Sequence, residues 1–138
     1  MGVVLDSAVW ISAERKGLSV VDAIQAIRSS VGDQTAVIAA MTAAELIHGI
    51  WRADTARVRA QREEFVEEIL ARIPVQPMTL RVARVVGRLD AEMRKAGRTI
   101  PTADLIIGAT AMDLEFSVAT GNARHYRSIP GLRVVSAL

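Results

Sequence analysis

Val3-Val4-Leu5 runs straight into Asp6, and that junction leaves few folds open. Three adjacent β-favouring apolar residues have no polar face. The strand they form must be covered on both sides, as at the centre of a parallel sheet. A carboxylate at its C-terminal tip falls on the edge where open α/β sheets bind ligands. Four further strand candidates follow, at 35–40, 73–76, 116–120 and 132–135.

The segments between them read as helices. Ser7 is placed to cap a short one over 8–15, and Ser19 caps a second that stops at Gly32-Asp33. Thr42-Ala43-Ala44-Glu45 has the form of a capping box opening a third. Residues 53–72 make a long amphipathic helix with Val58, Phe65, Val66, Ile69 and Leu70 inward. Thr79 caps another that closes at Gly97, and Pro101-Thr102-Ala103-Asp104 starts a very apolar one, whose Gly108 suits close packing on a sheet. Gly121-Asn122 turns the chain after the fourth strand, and 123–126 fits one helical turn. Strands alternating with helices over 138 residues predict one domain, a parallel α/β sandwich.

Composition narrows the setting. Apolar residues are 51% of the chain and aromatics only 4%, so the core is aliphatic and disorder is excluded. With no cysteine there are neither disulfides nor thiolate metal sites, which suits a reducing cytoplasm. The start lacks the basic and apolar regions of a signal peptide, and no apolar run approaches the roughly 18 residues of a membrane span. Net charge is only +2, yet 15 of the 17 basic residues are arginine. A GC-rich genome accounts for most such biases; phosphate recognition by guanidinium groups is the sharper reading.

Three carboxylates take similar places. Asp6 follows the first strand, Glu45 begins the helix after the second, and Asp104 begins the helix before the fourth. Right-handed crossovers bring Asp6 and Glu45 to one edge. Topology alone leaves Asp104 open, because its helix precedes its strand. Glu45 has an alternative duty in its capping box, and Asp104 could simply complement a helix dipole. No Lys or Arg, however, lies within three residues of any of the three. Buried carboxylates without cations repel, and a hard divalent ion, Mg²⁺ or Mn²⁺, is the natural neutraliser.

VVLDSAVWI, MTAAELIHGI around Glu45, IPTADLIIGATA around Asp104 and VATGNARHYRSIPGLRVV near the end carry a resemblance. In this order and spacing they resemble the PIN-domain nucleases, specifically the VapC type of toxin from bacterial toxin–antitoxin pairs. The resemblance implies a three-layer α/β/α fold with a five-stranded parallel sheet, and it brings Asp104 beside Asp6 and Glu45. It implies a Mg²⁺- or Mn²⁺-dependent endoribonuclease that cuts tRNA or rRNA and leaves a 5′-phosphate and a 3′-hydroxyl. It also implies a homodimer, inhibited by a cognate antitoxin whose C-terminal segment fills a hydrophobic groove and reaches the acids. Asp6, Glu45 and Asp104 occupy three acid positions of the pattern. A fourth, often Asp, is here Asn122, which can accept a hydrogen bond but brings no charge.

On that reading Asp6 and Asp104 bind the metal most directly, and Glu45 binds it directly or through water. Asn122, Thr120 and Ser7 fix waters and the scissile phosphate, and Arg124 contacts RNA. His125 and Arg127 lie close enough in sequence to join Arg124. His48 is best read as a surface or packing histidine, and Trp10, Ile11 and Trp51 as core or partner-binding residues. Arg81, Arg84 and Arg88 form either an RNA-tracking stripe or a solvated helix face. Two other readings compete. A receiver-like phosphotransfer domain would want adjacent acids after the first strand and a Lys near the last, neither of which is present. A non-catalytic PIN-like module binding RNA or protein is favoured only by Asn122.

Overall fold

In the computed structural model, which describes residues 1–138, five strands form: β1 (Gly2–Leu5), β2 (Thr35–Ala39), β3 (Val75–Gln76), β4 (Ser117–Thr120) and β5 (Val134–Ser136). All neighbours are parallel, in the order β3-β2-β1-β4-β5, so β1 is central. Its apolar run is buried on both faces because the pleat sends alternate residues to opposite sides. Val3 and Leu5 join Ile38 and Ala119 in one core; Val4 joins Val37 and Val118 in the other.

Helices α1 (Ser7–Arg15), α2 (Val20–Val31), α3 (Ala40–Trp51) and α4 (Ala56–Arg72) cover the first face. Helices α5 (Leu80–Lys95) and α6 (Thr102–Leu114) cover the second. The result is the three-layer α/β/α sandwich that the resemblance implied. The chain leaves β1 toward β2 on one side and later returns to place β4 on the other. The C-terminal ends of β1 and β4 therefore flank a switch point, where such sheets form a crevice.

Several local expectations need correcting. The capping box at Thr42 and Glu45 does not form, because α3 begins at Ala40, directly where β2 ends, with Ala39 in the N-cap position and no side-chain cap. Glu45 therefore lies in the second turn, without a capping duty. Likewise α1 starts at Ser7, and Asp6 takes the N-cap position with its side chain making no cap bond. Pairing, rather than apolar content, trims the outer strands: β3 keeps two residues and β5 shifts to 134–136. The turn expected over 123–126 is a 3₁₀ turn at Tyr126–Ser128. Ser19 and Thr79 do cap α2 and α5, and Thr55, a cap not anticipated, starts α4 at Ala56 rather than at 53; each accepts from a backbone N–H three residues on.

Gly108 faces the segment after β4 rather than the sheet. A Cβ there would stand 2.7 Å from Ile129 Cδ1 and 3.3 Å from Leu132 Cδ2. Its bare backbone lets Tyr126 and Ile129, both buried, press onto α6. This anchors the segment that begins at Asn122.

Thr42 is fully buried and its hydroxyl has no hydrogen-bond partner. An unpaired buried hydroxyl costs on the order of 1 kcal/mol or more. Thr42→Val keeps the shape, so it is expected to stabilise the fold by about 1 kcal/mol in urea melts. A loss of stability would show that the hydroxyl is satisfied.

Candidate active site

Asp6 extends β1 by one residue and is almost wholly buried. Its backbone N–H still donates to Ala119 O at 3.0 Å, so its position is set by the sheet ladder. The carboxylate accepts from the Thr120 hydroxyl at 2.8 Å through Oδ2 and from the Ser7 hydroxyl at 3.3 Å through Oδ1. Thr120 Oγ1 accepts in turn from the Asn122 backbone N–H at 2.9 Å. The tips of the two central strands are thereby tied through polar groups that carry no positive charge. The Asn122 side chain stands at the exposed rim.

Asp104 occupies the first turn of α6, where its charge also suits the helix dipole. Its Oδ2 lies 2.7 Å from His125 Nδ1, and its Oδ1 accepts from the Tyr126 hydroxyl at 3.4 Å. Glu45 enters from α3, with its Oε1 buried and without a hydrogen-bond partner. Burial raises the Glu45 pKa above the usual carboxylate value; the charges of Asp6 and Asp104 raise it further, and the Ser7 hydroxyl opposes them. The Tyr126 phenol is likewise pushed up, first by burial and then by the charges of Asp6, Asp104 and Glu45. It remains a neutral donor among acids.

The three carboxylates thus lie within electrostatic reach of one another, at the edge where β1 and β4 end. No Lys or Arg forms an ion pair with any of them; the one basic partner is His125. They do not close a cage, since no three His, Asp or Glu side chains are arranged to enclose one ion. The donor set still fits a hard ion. It offers oxygens only, lacks cations and includes an orphaned buried carboxylate oxygen. Mg²⁺ in particular is commonly held by one or two carboxylates, with waters and phosphate oxygens completing its shell.

The other candidates separate. Ser7 and Thr120 touch Asp6. Arg124 and Arg127 are exposed near Asn122 and form no ion pair, whereas Arg81 bonds Asp113 at 3.0 Å and Arg88 lies 3.8 Å from Glu92. In the α5 row, Arg81 is thus paired across to α6 and Arg88 within α5, while Arg84 is exposed without an ion pair. His48 is exposed on α3. Trp10 is core, while Ile11 and Trp51 are exposed, and Arg59 lies 5.5 Å from the Trp51 ring centre. Sequence reasoning missed the contacts of His125 and Tyr126 with Asp104. Their nearness to Asn122 was the available signal, but it could not reveal that the loop folds back over α6. A groove of about 710 Å³ between α1, α3 and α4, lined by Trp10, Val58 and Phe65 among others, runs up to Glu45.

No helix is long and apolar enough to cross a membrane. The chain is 26% identical over 136 residues to the ribonuclease VapC of Rickettsia bellii, covering 99% of this chain and 96% of that protein. Its fold matches VapBC2 of Rickettsia felis, solved bound to a promoter DNA fragment, with a TM-score of 0.85 at 20% identity over 99% of this chain and 98% of that one. VapBC-5 of Mycobacterium tuberculosis, a toxin–antitoxin family member, gives 0.76 at 25% identity, covering 98% of this chain and 96% of that one. The PIN domain model matches residues 3–130, from the first buried valine to the turn after Ile129. With that span and the acids gathered at its sheet edge, the chain belongs to the PIN domain family.

Proposed function

We propose that the chain is a divalent-metal-dependent endoribonuclease of the VapC toxin type, held in check by a cognate antitoxin. The observation that carries this reading is the cluster of Asp6, Glu45 and Asp104 at one sheet edge with no Lys or Arg to balance it. The kinship to proteins named ribonuclease VapC supports RNA as the substrate. Asp6 and Asp104 would hold the ion, Mg²⁺ or Mn²⁺, with Glu45 bound directly or through water. When bound, the ion supplies positive charge for the phosphoryl oxygens and acidifies a water for in-line attack.

The chain's own groups do the rest. Thr120 and Ser7 fix the Asp6 carboxylate, so its lone pairs keep one direction. Asn122, exposed at the rim, would orient a water or a phosphate oxygen through its amide. Arg124 would neutralise a flanking phosphate. Arg124→Ala is expected to weaken RNA binding and to lower the slope of log K against log salt by about 1. Arg84→Glu should leave that slope unchanged, and equal effects would disprove the distinction.

The groove leading to Glu45 is the place for the antitoxin segment, and an apolar floor ending in acids suits an amphipathic peptide with a basic tip. Exposed Met78 and Leu80 offer apolar area to a second copy of the chain. The test is cleavage of total RNA by the purified chain in Mn²⁺ and in excess EDTA. Cleavage in the first and none in the second is expected; equal cleavage in both refutes metal dependence. RNA binding with no cleavage in Mn²⁺ would favour the non-catalytic module.

A further inference from the structure

The two oxygens of Asp104 are treated unequally, and the difference points to a role for a residue outside the acid set. Oδ2 receives a 2.7 Å contact from His125 Nδ1, in the range of charge-assisted hydrogen bonds. Oδ1 has only the Tyr126 hydroxyl at 3.4 Å, a long and weak bond. A carboxylate has no proton to give, so Nδ1 must carry it. We propose that His125 is a positioning residue: its Nδ1–H fixes the plane of the Asp104 carboxylate, so that Oδ1 is presented to the divalent ion. This rests on the metal-dependent reading above.

The need for such a device is physical. The terminal torsion of an Asp side chain is broad and roughly two-fold, so an unrestrained carboxylate rotates freely. An acid in the first turn of a helix has no ladder to hold it, unlike Asp6 beside β4. The donor must itself be rigid, and His125 is. Its carbonyl accepts from the Ser128 hydroxyl at 2.7 Å, and Arg127 N–H donates to Ala123 O at 3.0 Å across it. The next residue, Tyr126, is locked beneath the surface against Gly108 of the same helix that carries Asp104. Loop and acid are thus mounted on one element and move together. Partners that orient metal ligands in this way are typically worth about 10–100-fold in metal affinity.

The experiment measures Mn²⁺ binding to the full chain without RNA, by the electron paramagnetic resonance signal of free Mn²⁺. Wild type, His125→Ala and His125→Asn are compared, with Asp6→Asn marking the site. Asn places an amide N–H where Nδ1–H stands. His125→Ala is expected to weaken Mn²⁺ binding by about 10-fold or more, and His125→Asn to restore most of it. Melting temperatures in chelator should stay close to wild type, because the Ser128 bond is to the backbone. Wild-type affinity in His125→Ala overturns the inference while leaving the metal reading intact. Failure of Asn to restore binding overturns it as well, since His125 would then be a ligand or a packing residue. A wild-type chain with no Mn²⁺ binding that Asp6→Asn removes overturns the metal reading and this inference together.

Discussion

Asp6→Asn should leave the fold standing and reduce RNA cleavage by at least about 10²-fold. The amide is nearly isosteric with the carboxylate. Its oxygen can still accept from Thr120, and its NH₂ can turn to the Ser7 hydroxyl, so both contacts at 2.8 and 3.3 Å have replacements. What disappears is a full negative charge at the point where β1 and β4 end. A metal ion contributes several kcal/mol of charge stabilisation in such reactions, and each 1.36 kcal/mol is about tenfold in rate. Losing half of the direct carboxylate ligands forfeits most of that. Single-turnover cleavage of a labelled RNA, beside a thermal melt in chelator, checks both halves. Unchanged cleavage would remove Asp6 from the chemistry, whereas a collapsed melt would make it a structural residue.

Glu45→Gln is expected to abolish or nearly abolish cleavage while making the metal-free protein more stable at neutral pH. Burial, Asp6 and Asp104 raise the Glu45 pKa in the folded chain. Above the pKa of an unfolded glutamate, the native state therefore holds a proton that the unfolded chain releases. The stability associated with that proton is complete below the unfolded pKa and is lost as pH rises through the raised folded value. At pH 7, above the unfolded value, the wild type bears this cost, and Gln removes it. In chelator the variant should melt higher than wild type at pH 7, and the gap should close as pH falls to about 4. Added Mg²⁺ should stabilise the wild type more than the variant, because binding to the native state shifts unfolding by mass action. A variant less stable than wild type at every pH would mean that Glu45 serves structure first.

These two residues also show what the chain reveals before it is folded. Asp6 was legible because a wholly apolar strand ending in an acid has few uses, and β1 is buried on both faces as that pattern requires. The alternation of strands and helices, and caps such as Ser19 and Thr79, followed from local chemistry that tertiary contacts did not disturb. The place of Glu45 near Asp6 was legible, but its spacing carried a false second meaning. The Thr-x-x-Glu spacing is that of a capping box, yet β2 runs directly into α3, and the helix starts two residues before the threonine. A local motif lost to the continuity of the chain. Asp104 required the family resemblance, since its helix precedes its strand.

The contacts of His125 and Tyr126 with Asp104 were hidden for another reason. They depend on an irregular segment folding back across Gly108, and loops of that kind have no period to read. For the α5 arginines the sequence left an RNA track and a solvated helix face both open, because one dimension does not show that Asp113, contributed by another helix, pairs with Arg81.

Three carboxylates share an edge of the sheet, and the proposed function puts a divalent ion between them. Crystals of the chain soaked in Mn²⁺ and measured at an energy where manganese scatters anomalously test that claim most directly. The expected result is a peak in contact with both Asp6 and Asp104, with Glu45 in its first or second coordination sphere and no such peak in Asp6→Asn. Manganese elsewhere on the molecule, with the three acids unmoved and unliganded at saturating Mn²⁺, would contradict it.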